Sequence, residues 1–166
     1  DIPNTVLKGL KAILKLKPIF TTIHICGGDE MKKISILKKN SKTTILGVTV
    51  LTSLDKKQTL KYYKHKNVNI LVKKFANYAK KNNLSGLVCS PLEIDIVRKE
   101  VGGKMILVVP GIRPNKRLPS KKDDQKRTLT PKEAIDLGAD FLVIGRPIVE
   151  SKNPLETIKK INKSIQ

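Results

Sequence analysis

The chain has 166 residues, 39% of them hydrophobic and only 4% aromatic, which suits one domain with a core of Ile, Leu and Val. Its net charge is +20, from 34 Lys and Arg against 14 Asp and Glu, but the basic residues are spread over the polar helix faces, which argues against nucleic acid as the main partner. No apolar run reaches the roughly 18 residues of a membrane helix and nothing resembles a signal peptide, so we expect a cytoplasmic protein without a membrane partner.

Short apolar runs alternate with segments of helical periodicity along the whole chain. The predicted strands are 18–25, 44–51, 87–89, 105–109 and 141–144. Helices are predicted between them, starting at Asn4 or Thr5, at Asp29, and after Asn153. Five strands alternating with helices predict a single α/β domain, residues 1–166, with a parallel sheet.

Two parallel architectures fit this pattern. A doubly wound sheet would normally have a G-x-G-x-x-G turn after an early strand, and the chain has none. A (β/α)8 barrel needs eight strands, and only five are predicted here.

The run Phe141 to Ile144 predicts a strand buried on both faces, because large apolar residues follow one another without alternation. Gly145-Arg146-Pro147 follows it directly. Glycine allows a ligand to approach the backbone, and arginine offers a forked cation. The pattern therefore indicates an anion site at the carboxyl end of a strand, although a solvent-facing arginine would fit equally well.

Polar residues stand at the ends of the predicted strands, and in a barrel these ends share one mouth. The residues are His24, Thr52, Ser53, Ser90, Arg113, Gly145 and Arg146. Ser90 and Glu93 also form a capping-box pattern, as do Thr130 and Glu133. Ser90 is therefore a candidate for capping, ligand contact or both, whereas His24 fits better as a hydrogen-bonded core residue.

Cys26 and Cys89 lie among apolar residues, and we expect two reduced core thiols rather than a disulfide or a metal site. The segment from Gly111 to Thr130 shows no periodicity over 20 residues and carries seven basic and two acidic side chains. A long cationic loop beside Gly145-Arg146 favours a phosphate-bearing substrate, and a solvated basic loop is the plainer alternative.

Six motifs of the chain, taken in order, resemble those of orotidine 5′-phosphate decarboxylase. They are Asp1-Ile2-Pro3-Asn4-Thr5, Val48-Thr49-Val50-Leu51-Thr52-Ser53, Val88-Cys89-Ser90, Pro110-Gly111-Ile112-Arg113-Pro114, Asp124-Gln125 and Val143-Ile144-Gly145-Arg146-Pro147. The resemblance covers the whole chain. It implies a (β/α)8 TIM barrel of which about the last five β/α units are present.

The resemblance also implies a function and a set of site residues. The family converts orotidine 5′-phosphate to UMP and CO2 without cofactor or metal, usually as a homodimer. By likeness Gly145, Arg146 and Gln125 would hold the phosphate, with Arg113 on the mobile loop. Ser90 would contact the pyrimidine and Thr52 would lie against the substrate. Asp1 matches the last residue of the family's catalytic Asp-x-Lys-x-x-Asp motif, and with Thr5 it would reach the partner subunit's site. The whole segment Asp1, Ile2, Pro3, Asn4 and Thr5 would bind substrate.

The chain departs from the family in one respect. The Asp-x-Lys that precedes the matched Asp1 is absent, as are earlier strands with another Asp and Lys. That motif lysine is the expected proton donor, so we expect the chain to be a fragment, the C-terminal part of the barrel, and inactive by itself. The alternatives are a related barrel enzyme acting on a sugar phosphate and a basic nucleic-acid-binding protein.

Overall fold

A computed structural model describes residues 2–34, 37, 41–114 and 128–166. The strands are β1 (Phe20–His24), β2 (Thr44–Val48), β3 (Gly86–Val88), β4 (Ile106–Val109) and β5 (Phe141–Leu142). The α-helices are α1 (Pro3–Leu14), α2 (Lys56–Tyr63), α3 (Val68–Lys81), α4 (Ile94–Val101), α5 (Pro131–Asp136), α6 (Arg146–Val149) and α7 (Pro154–Ser164). Short 3₁₀ helices cover Asp29–Ile34 and Pro91–Glu93. No helix in the described ranges is both long and apolar enough to cross a membrane.

The five strands form one parallel sheet in the order β1-β2-β3-β4-β5. Each strand therefore pairs with its neighbour in the sequence, and helices make the connections. This is the arrangement of consecutive β/α units in a barrel. The predicted fold class, a parallel α/β barrel with five units present, is confirmed.

The sheet is strongly curved. In a flat sheet, four interstrand spacings of about 4.8 Å would place β1 roughly 19 Å from β5. The ring centroids of Phe20 in β1 and Phe141 in β5 are nevertheless 5.0 Å apart, at 70° to each other. The two aromatic side chains meet across the concave face, as in a segment of a barrel wall.

The convex face of the sheet packs against the helices and forms the main core. Its central side chains are fully or almost fully buried, and they include Ile25, Leu87, Leu107 and Val109 from the sheet side and Val72, Ala76, Val97 and Ala134 from the helices. A second, smaller cluster lies under α1 and contains Leu10, Ile23, Met31, Ile34 and Ile45. Burial of each such aliphatic side chain contributes about 1.5–3 kcal/mol to folding.

The concave face is covered at its centre and open at its last strand. Leu46 of β2 and Val108 of β4 are buried, but Phe141 is 46% exposed and Val143 is 50% exposed. The prediction that this strand is buried on both faces is therefore wrong. These side chains are exposed because β5 is the last strand of the described sheet and pairs only with β4.

The helix starts predicted at Thr130 and after Asn153 are confirmed. Thr130 Oγ1 accepts the N–H of Glu133 at 3.3 Å, and the Glu133 carboxylate accepts the N–H of Thr130 at 3.0 Å. Asn153 caps α7 through the N–H of Glu156 at 3.2 Å.

Two predicted starts differ from the structure. Helix α1 begins at Pro3 with Ile2 as its N-cap residue, so neither Asn4 nor Thr5 is the cap, because proline at the first helical position needs no hydrogen bond for its nitrogen. The helix predicted from Asp29 is a 3₁₀ helix as far as Ile34, and most of the remainder, to Lys39, lies outside the described residues.

Arg98 links three chain segments at the amino-terminal edge of the sheet. Its guanidinium donates to the carbonyl oxygens of Gly102 at 2.9 Å and Met105 at 2.8 Å, and also to that of Gly138. It pairs with Asp140 at 2.9 Å, and the same carboxylate accepts the Leu107 N–H at 2.7 Å. One side chain thus joins the end of α4, the entry to β4 and the entry to β5.

The close packing of β3 against β4 leads to a stability prediction. A Cβ atom at Gly86 would lie 2.5 Å from the carbonyl oxygen of Ile106, which is backbone and cannot move aside. We expect Gly86→Ala to lower the free energy of unfolding by about 1–3 kcal/mol, the usual effect of overpacking a core. Urea unfolding followed by circular dichroism measures it. The control is Gly103→Ala, whose Cβ would meet nothing within 4 Å, and equal losses in the two variants would contradict the steric explanation.

Candidate functional site

The register of the sheet places the predicted residues of β2 and β3 at one rim. Val48 of β2 is level with Val88 of β3. Thr52 follows Val48 by four residues, and Ser90 follows Val88 by two. Both are buried. Thr49 continues the pairing beyond β2, since its N–H and its hydroxyl both donate to the Val88 carbonyl oxygen, at 3.1 and 3.0 Å. No sequence pattern indicates this second bond, which holds the chain three residues before Thr52.

The two predicted arginines follow level positions of β4 and β5. Val109 of β4 is level with Leu142 of β5, and Arg113 and Arg146 each follow four residues later. Parallel strands end at the same edge of a sheet, so both arginines lie beyond the carboxyl ends of neighbouring strands. The predicted convergence of Ser90, Thr52, Arg113 and Arg146 at one rim is thus consistent with the strand register.

The two ends of the basic segment are held together. Ile112 and Leu129 form a parallel bridge, and the Arg113 N–H donates to the Leu129 carbonyl oxygen at 2.9 Å. The Arg113 guanidinium also donates to the Ile112 carbonyl oxygen at 3.0 Å. Residues 115–127, including Gln125 and most of the predicted basic loop, lie outside the described residues.

Gly145 presents an open backbone to the rim. It is exposed, and a Cβ atom built on it would meet nothing within 4 Å. Its carbonyl oxygen accepts the N–H groups of Ile148 and Val149, at 2.9 and 3.1 Å, so the chain turns into α6 directly after it. Arg146 is therefore the first residue of α6 and Pro147 the second.

Ser90 has a buried hydroxyl without a partner. The residue is fully buried, and its Oγ makes no hydrogen bond within the described part of the chain. Its backbone is extended, at φ −67° and ψ 151°, and the preceding Cys89 side chain belongs to the main core. Because successive side chains of extended backbone point to opposite faces, the Ser90 hydroxyl points away from the helices, toward the concave face.

The matched segment before α1 is only partly described. Ile2, Asn4 and Thr5 are exposed at the start of α1, and Pro3 is half-buried. Since α1 leads into β1, its start lies on the rim side of the sheet. Asp1, the predicted catalytic residue, lies outside the described residues.

The structure corrects two predictions at the end of β1. His24 is exposed on the concave side and Cys26 is also exposed, so neither is a core residue, whereas Cys89 is buried as expected. β1 is the first strand of the sheet, and its outer edge pairs with no other strand in the described ranges.

Partial burial raises the pKa of the Tyr63 hydroxyl, and the hydrogen-bonded Cys26 thiol raises it further.

The described residues contain no cluster of three or more His, Cys, Asp or Glu side chains with the geometry of a metal site. The polar groups around the rim are instead hydroxyls, arginines and an open glycine backbone. Arginine recognises phosphate through two parallel hydrogen bonds, and hydroxyls can both donate to and accept from a heterocyclic base. Groups of these kinds are suited to an anionic ligand that also carries hydrogen-bonding groups.

Comparisons with known proteins agree with this chemistry. The family model described as "Orotidine 5'-phosphate decarboxylase / HUMPS family" matches residues 1–161. An orotidine 5′-phosphate decarboxylase of Dictyoglomus thermophilum is 41% identical over 175 aligned positions, which cover 100% of this chain and 70% of that protein. One from Wolbachia pipientis subsp. Culex pipiens is 44% identical, covering 99% and 72%.

A solved structure is also similar. The crystal structure of orotidine 5′-phosphate decarboxylase from Lactobacillus acidophilus superimposes with a TM-score of 0.79 at 32% identity. The match covers 100% of this chain and 71% of that one. The chain thus spans about seven tenths of the length of each of these three proteins.

The unpartnered hydroxyl of Ser90 leads to a second stability prediction. A buried unsatisfied polar group costs roughly 1–3 kcal/mol, so we expect Ser90→Ala to leave the free energy of unfolding unchanged or to raise it by up to about 1 kcal/mol. Thr130→Ala is the control, because it removes a hydroxyl that does cap a helix and should cost about 1 kcal/mol. Urea unfolding compares the two variants. A loss at Ser90 as large as that at Thr130 would mean that the Ser90 hydroxyl caps its helix.

Proposed function

Because the chain belongs to the orotidine 5′-phosphate decarboxylase / HUMPS family, we propose that it serves the decarboxylation of orotidine 5′-phosphate to UMP and CO2 in pyrimidine biosynthesis, without cofactor or metal. Relatives 41% and 44% identical bear the decarboxylase name, which favours this reaction over that of a sugar-phosphate enzyme on the same barrel. The observation that supports the proposal most is the sheet register, because Thr52, Ser90, Arg113 and Arg146 all follow the carboxyl ends of strands that end at one edge of the sheet.

The reaction explains why such a site needs fixed charges. The bond between the pyrimidine ring and the carboxylate breaks, CO2 leaves, and the electron pair stays on a ring carbon that delocalises it poorly. An acid then protonates that carbon. Catalysis therefore depends on charges that stabilise the transition state more than the substrate, and binding energy from the remote phosphate offsets the cost of placing the substrate carboxylate near an aspartate.

We assign the phosphate to Gly145 and Arg146, with Gln125 and Arg113 completing its site. The open Cβ position of Gly145 supports close approach of a ligand to the backbone. The bridge between Ile112 and Leu129 supports a role for Arg113, since it fixes the base of the basic segment at the same rim. Ser90 contacts the pyrimidine, a role supported by its buried unpartnered hydroxyl, and Thr52 lies against the substrate.

The functional unit in this proposal is a homodimer. Asp1 acts as a catalytic residue and reaches the partner subunit's site together with Thr5, and Ile2, Pro3 and Asn4 of the same segment bind substrate. The exposure of Ile2, Asn4 and Thr5 on the rim side of the sheet supports this arrangement. Cytoplasmic location and the absence of a nucleic-acid partner belong to the same proposal.

We further propose that residues 1–166 form a single domain that supplies five of the eight units of the decarboxylase barrel. The open concave face at Phe141 and Val143 supports this, because three further strands would cover it. The seven-tenths coverage of the relatives agrees with the same number of units. Below, "completed barrel" denotes this chain joined to the part of the Wolbachia relative that the match leaves out.

The phosphate assignment predicts the effect of a single substitution. In the completed barrel, Arg146→Ala should weaken UMP binding by about 10- to 150-fold, because charge-assisted hydrogen bonds are worth about 1.5–3 kcal/mol. Uridine, which has no phosphate, should bind both proteins equally. Isothermal titration calorimetry measures both ligands, and Lys152→Ala controls for the loss of one exposed positive charge. Equal UMP affinities with and without Arg146 would remove this residue from the phosphate site.

The barrel assignment predicts an all-or-none difference in activity. The 166-residue chain alone should not decarboxylate orotidine 5′-phosphate, because no lysine of the chain matches the motif lysine and a general acid must lie within hydrogen-bond reach of the reacting carbon. The completed barrel should turn over. The measurement is the loss of orotidylate absorbance for each protein, with a catalytically inactive Asp1→Asn completed barrel as the control. Turnover by the 166-residue chain alone would disprove the assignment of the proton donor.

A further inference from the structure

Glu93 is a buried carboxylic acid with no role in the proposed chemistry. It is 1% exposed, although Glu is among the residue types least often buried. Its carboxylate oxygen accepts the backbone N–H of Ser90 at 3.3 Å, and its own N–H donates to the Ser90 carbonyl oxygen at 3.0 Å. Both backbone polar groups of Ser90 are thus held by one residue.

The capping box of Thr130 and Glu133 differs from that of Ser90 and Glu93 in the bonding of its hydroxyl. In the pair of Thr130 and Glu133, the threonine hydroxyl is fully engaged, since it accepts the Glu133 N–H at 3.3 Å and lies 2.8 Å from the Glu133 carboxylate. In the pair of Ser90 and Glu93, the carbonyl oxygen of Ser90 receives the corresponding N–H, and the serine hydroxyl has no hydrogen-bond partner among the described residues. The same four-residue pattern therefore leaves one hydroxyl available and fully buried.

We propose that Glu93 is a positioning residue that holds the Ser90 hydroxyl against the base of a pyrimidine nucleoside monophosphate, an inference that rests on the proposed function. Glu93 acts through Ser90 and does not touch the ligand. Because Cys89 anchors the preceding side chain in the core and Glu93 holds the Ser90 backbone, only rotation about the Cα–Cβ and Cβ–O bonds is left to the hydroxyl. A pyrimidine ring offers adjacent N–H and carbonyl groups, and a hydroxyl can serve either of them.

Two substitutions separate the contact made by Glu93 from its charge. A glutamine at position 93 keeps an oxygen at the same distance from the Ser90 N–H and removes the negative charge. An aspartate keeps the charge, but its side chain is one methylene shorter and does not reach a donor that already lies 3.3 Å from the glutamate. The two variants therefore distinguish positioning from a purely electrostatic or structural role.

The experiment measures binding of UMP and of ribose 5-phosphate, which lacks the base, to the completed barrel and its variants by calorimetry. We expect Glu93→Asp to weaken UMP about 10-fold and ribose 5-phosphate less than twofold, as Ser90→Ala should. Glu93→Gln should keep both affinities within about threefold. In a Ser90→Ala background, Glu93→Asp should cause no further loss, because the hydroxyl that it positions is gone.

Three results would overturn the inference. Equal weakening of both ligands by Glu93→Asp would assign Glu93 a general structural role. Loss of UMP binding in Glu93→Gln but not in Glu93→Asp would assign its effect to charge. Additive losses in the double variant would show that Glu93 does not act through Ser90. A completed barrel that binds ribose 5-phosphate but not UMP, before any substitution, would instead disprove the proposed function and the inference with it.

Discussion

The continuous parallel register from β1 to β5 is the constraint on which the rest of the molecule depends. His24, Val48 and Val88 lie level across three strands, and Val109 and Leu142 lie level across the last pair. Residues that are far apart in the sequence therefore reach one rim because the strands that carry them are paired in register. A slip of one residue in any pairing would move the side chains of that strand to the opposite face and remove its residue from the rim.

Curvature determines which side chains of the sheet are buried. The meeting of Phe20 and Phe141 shows how far the sheet bends. The helices bury the centre of the convex face, whereas burial on the concave face depends on side chains from other strands, so that Leu46 is buried and Val143 is not. At the candidate site, neighbouring residues face the two sides of the sheet: the Cys89 side chain lies in the core on the convex side, and the Ser90 side chain points to the concave side.

The sequence predicted the elements well and the environment of the edge strands poorly. Continuous apolar runs and capping patterns depend on neighbours within a few residues, and for this reason the five strands and the starts of α5 and α7 were found. The exposure of His24, Cys26 and Phe141 depends on what lies beyond the first and last strands, which no local pattern contains. Helix α1 differs for a local reason, since Pro3 allowed the helix to begin before its polar residues.

In the candidate site, too, local motifs were predicted and contacts between segments were not. Motifs at strand ends identified Ser90, Arg113 and Arg146 because barrel geometry places such ends together. The second hydrogen bond of Thr49 and the unpartnered hydroxyl of Ser90 were not predicted, since one depends on a neighbouring strand and the other on which of two acceptors receives the Glu93 N–H. Distances of this kind follow from the folded backbone and are not encoded in residue type.

The strand order has a consequence for how the chain folds. Each strand pairs with the strand just before it in the sequence, so every pairing closes only one β/α connection and the entropy lost at each step is small. The sheet is therefore able to grow one unit at a time from β1 to β5 while the polypeptide emerges from the ribosome, without waiting for its C-terminal residues.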